Sequence, residues 1–176
     1  MAITTRRAVS DDATILHDLA ARTFALACPP GTSAADIDAF VDGNLSQRCF
    51  ETYLRDATRI LLLAEDDGVP VGYVMLVGGP IADAELRSVV ADATGIELSK
   101  FYVTPQSHGT AVAATLMAAT LRSAAETGAT SCWLGVNQQN VRAAKFYAKH
   151  GFDIVGVKRF RVGGQWHDDH VRRRPL

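Results

Sequence analysis

Cysteine is scarce and scattered. Cys28, Cys49 and Cys132 are an odd set without a CxxC pair, which argues against a disulfide framework and fits buried thiols in a reducing compartment. No His-x-His cluster and no Gly-x-Ser-x-Gly elbow occurs, so neither a metal centre nor a serine-hydrolase triad is expected. Charge of one sign is also missing: the net charge of −1 supplies no field that would gather nucleic acid or an anionic membrane. No apolar run approaches the ~20 residues of a bilayer span, and the N-terminal residues lack the core of a signal peptide. The expected location is the cytoplasm. No internal repeat or linker divides the chain.

What is present is globular. The 176 residues are 48% apolar and 21% charged, values of a single domain over residues 1–176 with a substantial core. Residues 3–9 alternate as a strand, and Ser10-Asp11-Asp12 then signals a helix start. Ile15, Leu16, Leu19, Ala20, Thr23 and Leu26 recur at helical spacing until Cys28-Pro29-Pro30-Gly31. Two further helical segments follow, over residues 32–42 and 45–54. Residues 59–65 and 70–77 read as a hairpin around Asp66-Asp67-Gly68. Residues 81–94 read as a loop with a short helix.

The chain then gathers around residues 97–126. Residues 97–103 alternate as a half-buried strand, which places Glu97 on the face of Phe101 and Val103. Pro105 ends it, and from Ala113 an Ala- and Leu-rich helix carries Leu116, Met117 and Leu121 inward. Between them lie small residues whose backbone N–H groups open at a helix N-terminus, a place suited to phosphate or to nothing more than a turn. A strand at 130–136, a helix at 141–150 ended by Gly151, and a hairpin of residues 152–162 and 165–173 complete the chain. The fold class is mixed α/β (α+β).

Two separated segments share one pattern. Residues 97–105, with His108-Gly109-Thr110-Ala111-Val112-Ala113, resemble motif A of the GNAT superfamily of N-acetyltransferases. Leu134-Gly135-Val136-Asn137, then Asn140, Ala143, Phe146-Tyr147 and Gly151-Phe152, resemble its motif B. Within the superfamily, the segments at 33–38 and 44–46 resemble PaiA-like polyamine acetyltransferases. The resemblance implies a central twisted mixed sheet of about seven strands flanked by helices, with two parallel strands splayed at the cofactor site. It also implies acetyl-CoA as cosubstrate, with Phe101, Tyr102 and Val103 pairing its pantetheine arm. His108, Gly109, Thr110, Ala111, Val112 and Ala113 would hold the pyrophosphate, and Asn140 and Tyr147 would reach the cofactor. In the family's usual signature a Gly stands where this chain has Ala111, and a Gln or Arg where it has His108.

Acetyl transfer to an amine needs a neutral amine and a proton for the departing thiolate. The matching positions make Glu97 the candidate base and Tyr147 the candidate acid; their plain alternatives are a strand-edge carboxylate and a core tyrosine. Asn140 is a cofactor contact or a helix cap, and His108 a phosphate contact or a solvent-facing ring. The acceptor is expected to be the primary amine of a small molecule. Asp36, Asp38, Asp42, Glu51 and Asp56 favour a cationic, polyamine-like amine if they face the cleft, and otherwise form a solvated face. A homodimer is compatible with this reading. The competing readings are a silent CoA-binding module, a protein N-terminal or lysine acetyltransferase, and an unrelated interaction domain.

Overall fold

The computed structural model describes residues 2–176, apart from the side chains of Phe160 and Val162. β1 (Ile3–Arg7) leads through a short 3-10 turn into α1 (Ala13–Ala27). Next come α2 (Ala34–Asn44), α3 (Gln47–Arg55), and the hairpin of β2 (Arg59–Asp66) and β3 (Val69–Val77). The remaining elements are α4 (Ala84–Val90), β4 (Ile96–Val103), α5 (Ala111–Glu126), β5 (Ser131–Asn137), α6 (Val141–Lys149), β6 (Asp153–Val162) and β7 (Gln165–Pro175). Local chemistry sets several boundaries. Ser33, Ser46 and Asp83 accept hydrogen bonds from backbone N–H groups in the first turns of α2, α3 and α4. The β2–β3 turn uses positive φ at Asp67 and Gly68, the backbone of a tight hairpin loop.

One seven-stranded sheet runs in the order β1-β2-β3-β4-β5-β7-β6. All pairings are antiparallel except β4 with β5. One face packs against α5 through Leu62, Val74, Leu98, Leu116, Met117, Leu134 and Phe152. The other face carries α1 and its neighbours on Leu61, Leu63, Tyr73 and Met75, with Leu16, Leu19 and Phe50 packed above. A third cluster, Leu86, Val90, Trp133 and Val171, seats α4 on the far half of that second face. No helix among the described residues is long and apolar enough to cross a membrane.

Two features of the sheet create an opening. β4 pairs with β5 only at Ile96–Cys132 and Glu97–Trp133, after which the two strands separate. On its other side β4 contains a bulge: Leu98 faces Leu76 and Lys100 faces Met75, so Ser99 is an extra residue. A bulge interrupts the period-2 alternation of a strand. Directly opposed residues share a sheet face, so Glu97, opposite Val77 and Trp133, lies on the α1 face with Lys100 and Tyr102. Phe101 and Val103 lie with the α5 core instead. The uninterrupted alternation, which put Glu97 on their face, is corrected by this single inserted residue.

Candidate active site

The parted strands open into a cavity of about 430 Å³, within the size range of small-ligand sites. Its floor is β4 from Glu97 to Val103. Its walls are the start of α5, β5 with α6, the end of α1 with Phe40 of α2, and the β6–β7 hairpin. Because β5 has left, the β4 edge facing it has no strand to bond beyond the two paired positions. Edge N–H and C=O groups of this kind accept an extended ligand as an added strand.

At one end of that edge stands the N-terminus of α5. Gly109 takes φ +75°, a left-handed conformation that costs glycine little. The N–H groups of His108 and Thr110 go to turn carbonyls of Pro105 and Ser107, and that of Val112 to Thr110 Oγ1 at 3.3 Å. This leaves the Gly109 and Ala111 N–H groups without partners among the described residues, beside the positive end of the helix. Thr110 is the cap and Val112 is fully buried in the core, so neither side chain faces the cavity. Ala111 is the first residue of the helix and has no positive φ; its methyl group therefore causes no strain where the family pattern has glycine.

His108 lines the cavity with its ring held on both sides. Its Nε2 lies 3.0 Å from the Val103 carbonyl and its Nδ1 2.8 Å from Arg142 Nη1. A carbonyl only accepts and a guanidinium only donates, so Nε2 carries the proton and Nδ1 accepts. The ring is a brace that holds Arg142 of α6 over the cavity rim. Asn140 caps α6, its Oδ1 accepting from the Ala143 N–H at 3.2 Å, while still lining the cavity. Capping and ligand contact are thus compatible.

Tyr147 also reaches the cavity. Phe101, Phe146 and Phe152 hold its ring by edge contacts, with centroids 6.3, 5.6 and 5.9 Å away. Its hydroxyl has no hydrogen-bond partner among the described residues, and burial pushes its pKa well above the usual phenol value. It is therefore a protonated donor at any physiological pH. Glu97 is half-buried at the root of the cleft. Burial raises its pKa, against the opposing influence of Lys100, Lys158 and Arg59. Lys100 moves the opposite way, also through burial, and its ammonium donates to Ser99 O and Oγ at 3.2 and 3.3 Å.

Of the helical acids considered for acceptor recognition, none lines the cavity. Asp56 is bound to Thr58 and Arg59, and Glu51 to Gln47. Asp36 stands at the tip of the β6–β7 hairpin, where a side chain on Gly163 would collide with it. From this stretch only Phe40 lines the cavity, stacked on Phe24 with centroids 4.4 Å apart. Charge enters instead from residues that sequence reasoning passed over: Lys158 of β6, and His167 and Asp169 of β7. Strand order explains this, because β7 inserts between β5 and β6 and so reaches the opened edge. Burial lifts the Asp169 carboxyl to about 6.

A family model described as Acetyltransferase (GNAT) family matches residues 20–152. Uncharacterized N-acetyltransferases of Mycobacterium bovis and Mycobacterium tuberculosis are 47% identical over 165 residues, covering 94% of this chain and 98% of theirs. The PaiA N-acetyltransferase of Thermoplasma acidophilum, solved in complex with coenzyme A, superposes with a TM-score of 0.79 at 19% identity, covering 100% of both chains. YncA of Salmonella typhimurium, solved with its cofactor acetyl-CoA, gives 0.68 at 18% identity, covering 100% of this chain and 95% of that one. The splayed parallel strands, the sheet order and these relatives together make the chain a member of the GNAT family of N-acetyltransferases.

Proposed function

We propose that the protein transfers the acetyl group of acetyl-CoA directly to the primary amine of a small molecule. The observation that carries this reading is the convergence on one cavity of the unpaired β4 edge, the open N-terminus of α5 and the Tyr147 hydroxyl, which has no hydrogen-bond partner among the described residues. The chain's own groups fit the cosubstrate. The β4 edge around residues 101–103 pairs an amide-bearing arm as a strand would, and the N–H groups of Gly109 and Ala111 with the Arg142 guanidinium suit a pyrophosphate. Bound there, acetyl-CoA supplies the activated acetyl thioester.

The remaining tasks fall to side chains. Tyr147 Oη donates a proton at the departing sulfur. Glu97, whose raised pKa makes it a better proton acceptor than an ordinary carboxylate, takes the proton from the amine. Backbone N–H groups of the 101–103 stretch polarise the carbonyl. Phe24, Phe40, Leu86 and Trp133 also wall the cavity, which favours a compact amine on an apolar body. A polyamine-like acceptor is the second reading, favoured by the cavity carboxylates Glu97 and Asp169 but not by the aromatic wall. The test is thiol release from acetyl-CoA with phenethylamine, spermidine and glutamate. Turnover with phenethylamine above spermidine and glutamate supports the reading. Coenzyme A binding with no amine turned over would make the protein a silent binding module.

A further inference from the structure

Three buried polar atoms on one face of the sheet have no hydrogen-bond partner among the described residues: Trp133 Nε1, His167 Nε2 and Asp169 Oδ1. All three residues line the cavity. Trp133 stands on β5, and on β7 Asp169 sits opposite Asn137, two strand positions from the Gly135–Val171 pair. Polar atoms taken out of water without a partner are costly and rare in native proteins. Three on one cavity wall point to a partner that arrives from solution.

The surroundings single out Asp169. Gly135 of β5 leaves space for its carboxyl: a side chain there would meet Asp169 Oδ2 at 3.3 Å. No side chain or backbone group donates to the Asp169 carboxyl among the described residues. The titratable groups that interact with it are Lys158 on β6, Asp168 beside it on β7 and Tyr102 on β4, with His167 sharing its strand. Lys158 is the nearest cation influence, yet its ammonium lies 3.5 Å from Asp83 instead. A desolvated carboxylate with only acceptor atoms requires a donor, and a cationic donor satisfies it best.

We propose that Asp169 is the anchor for the acceptor: its carboxylate receives a hydrogen bond from the ammonium of the incoming amine. The inference rests on the acetyltransferase reading above and refines where that reaction's acceptor is recognised. Asp169 holds the amine, and proton removal remains with Glu97 at the root of the cleft. Since the Asp169 carboxyl titrates at about 6, the anchor is charged above that pH and weakens as pH falls below it.

The test uses the full-length protein loaded with coenzyme A and phenethylamine as probe. Carbon NMR of the Asp carboxyl groups should give Asp169 a midpoint near 6, falling by roughly one unit or more when the amine saturates, because a bound cation favours the charged form. In turnover, Asp169→Asn should raise the phenethylamine KM by roughly tenfold or more with a smaller change in kcat. Asp169→Glu should recover part of that loss. Hydroxylamine, already neutral at about pH 7.5, should be nearly indifferent to either substitution. An ordinary aspartate midpoint, a midpoint unmoved by phenethylamine, or equal losses with both amines overturns the proposal. Calorimetry with coenzyme A separates the two levels: absent binding in the parent protein refutes the acetyltransferase reading, whereas normal binding with an unresponsive Asp169 refutes only the anchor.

Discussion

Replacing Asp169 by Asn should stabilise the free protein while it impairs acceptor binding. Among the described residues the carboxyl makes no hydrogen bond that the substitution would break, so the dominant change is removal of a charge held largely out of water. Its pKa rises from the ordinary 3.8 to about 6. At about 1.4 kcal/mol per pH unit this sets an upper bound of about 3 kcal/mol on the penalty of ionisation in the folded state. Solvent still reaches the carboxyl, so a discounted gain of roughly 1–2 kcal/mol is the better expectation. The sign follows from linkage. Below the unfolded pKa both states bind the proton and the charge imposes no penalty. As pH rises towards about 6, the unfolded chain releases its proton while the native state retains it, so the wild type loses stability; above that it carries the full penalty. Thermal unfolding of wild type and Asp169→Asn should therefore converge as pH falls below 3.8. By about pH 7.5 the variant should unfold roughly 2–8 °C higher, given the size of the domain. A variant that is destabilised at neutral pH, or a difference independent of pH, would refute the account of Asp169 as a desolvated and unsatisfied charge.

Three further outcomes follow from the geometry. Tyr147→Phe keeps the ring among Phe101, Phe146 and Phe152, so unfolding and coenzyme A affinity should hold while turnover drops by roughly ten- to a thousandfold; wild-type turnover would return Tyr147 to the role of a core residue. Ala111→Asp places a carboxylate at the first position of α5, where it should stabilise the free helix by about 0.3–1 kcal/mol and still weaken coenzyme A binding by at least ~1–3 kcal/mol. Paired denaturation and calorimetry read those opposite signs. His108→Ala deletes the brace between Val103 and Arg142, and should weaken coenzyme A by roughly as much as Arg142→Ala, with little further loss in the double variant; additive losses would mean that the two residues act separately.

The element order was legible because its signals are local: Ala-rich periodicity for α5, alternating apolar residues for the hairpins, Gly151 after α6. The junction before α5 was legible for the same reason, although the helix starts at Ala111 with Thr110 as its cap, two residues before the Ala-rich run suggested. What sequence alone did not yield depends on how strands meet. Nothing local marks Ser99 as an extra residue, since the bulge exists only relative to β3, and one such residue reverses the face assigned to Glu97. Likewise, Asp169 and His167 lie in a hairpin that reads as ordinary alternation. Their place in the cavity comes from β7 pairing with β5 rather than lying at the sheet edge. The helical acids misled in the opposite sense, because composition registers charge without its direction, and theirs turns away from the cleft.

The central claim is that the parted edge of β4 and the start of α5 form one binding surface for acetyl-CoA. Amide NMR of the labelled protein during titration with acetyl-CoA tests it most directly. The account predicts the largest shifts at Phe101, Tyr102, Val103, Gly109 and Ala111, with β1 and β2 unmoved. Saturable shifts confined to another face of the sheet, or none at millimolar acetyl-CoA, would contradict it.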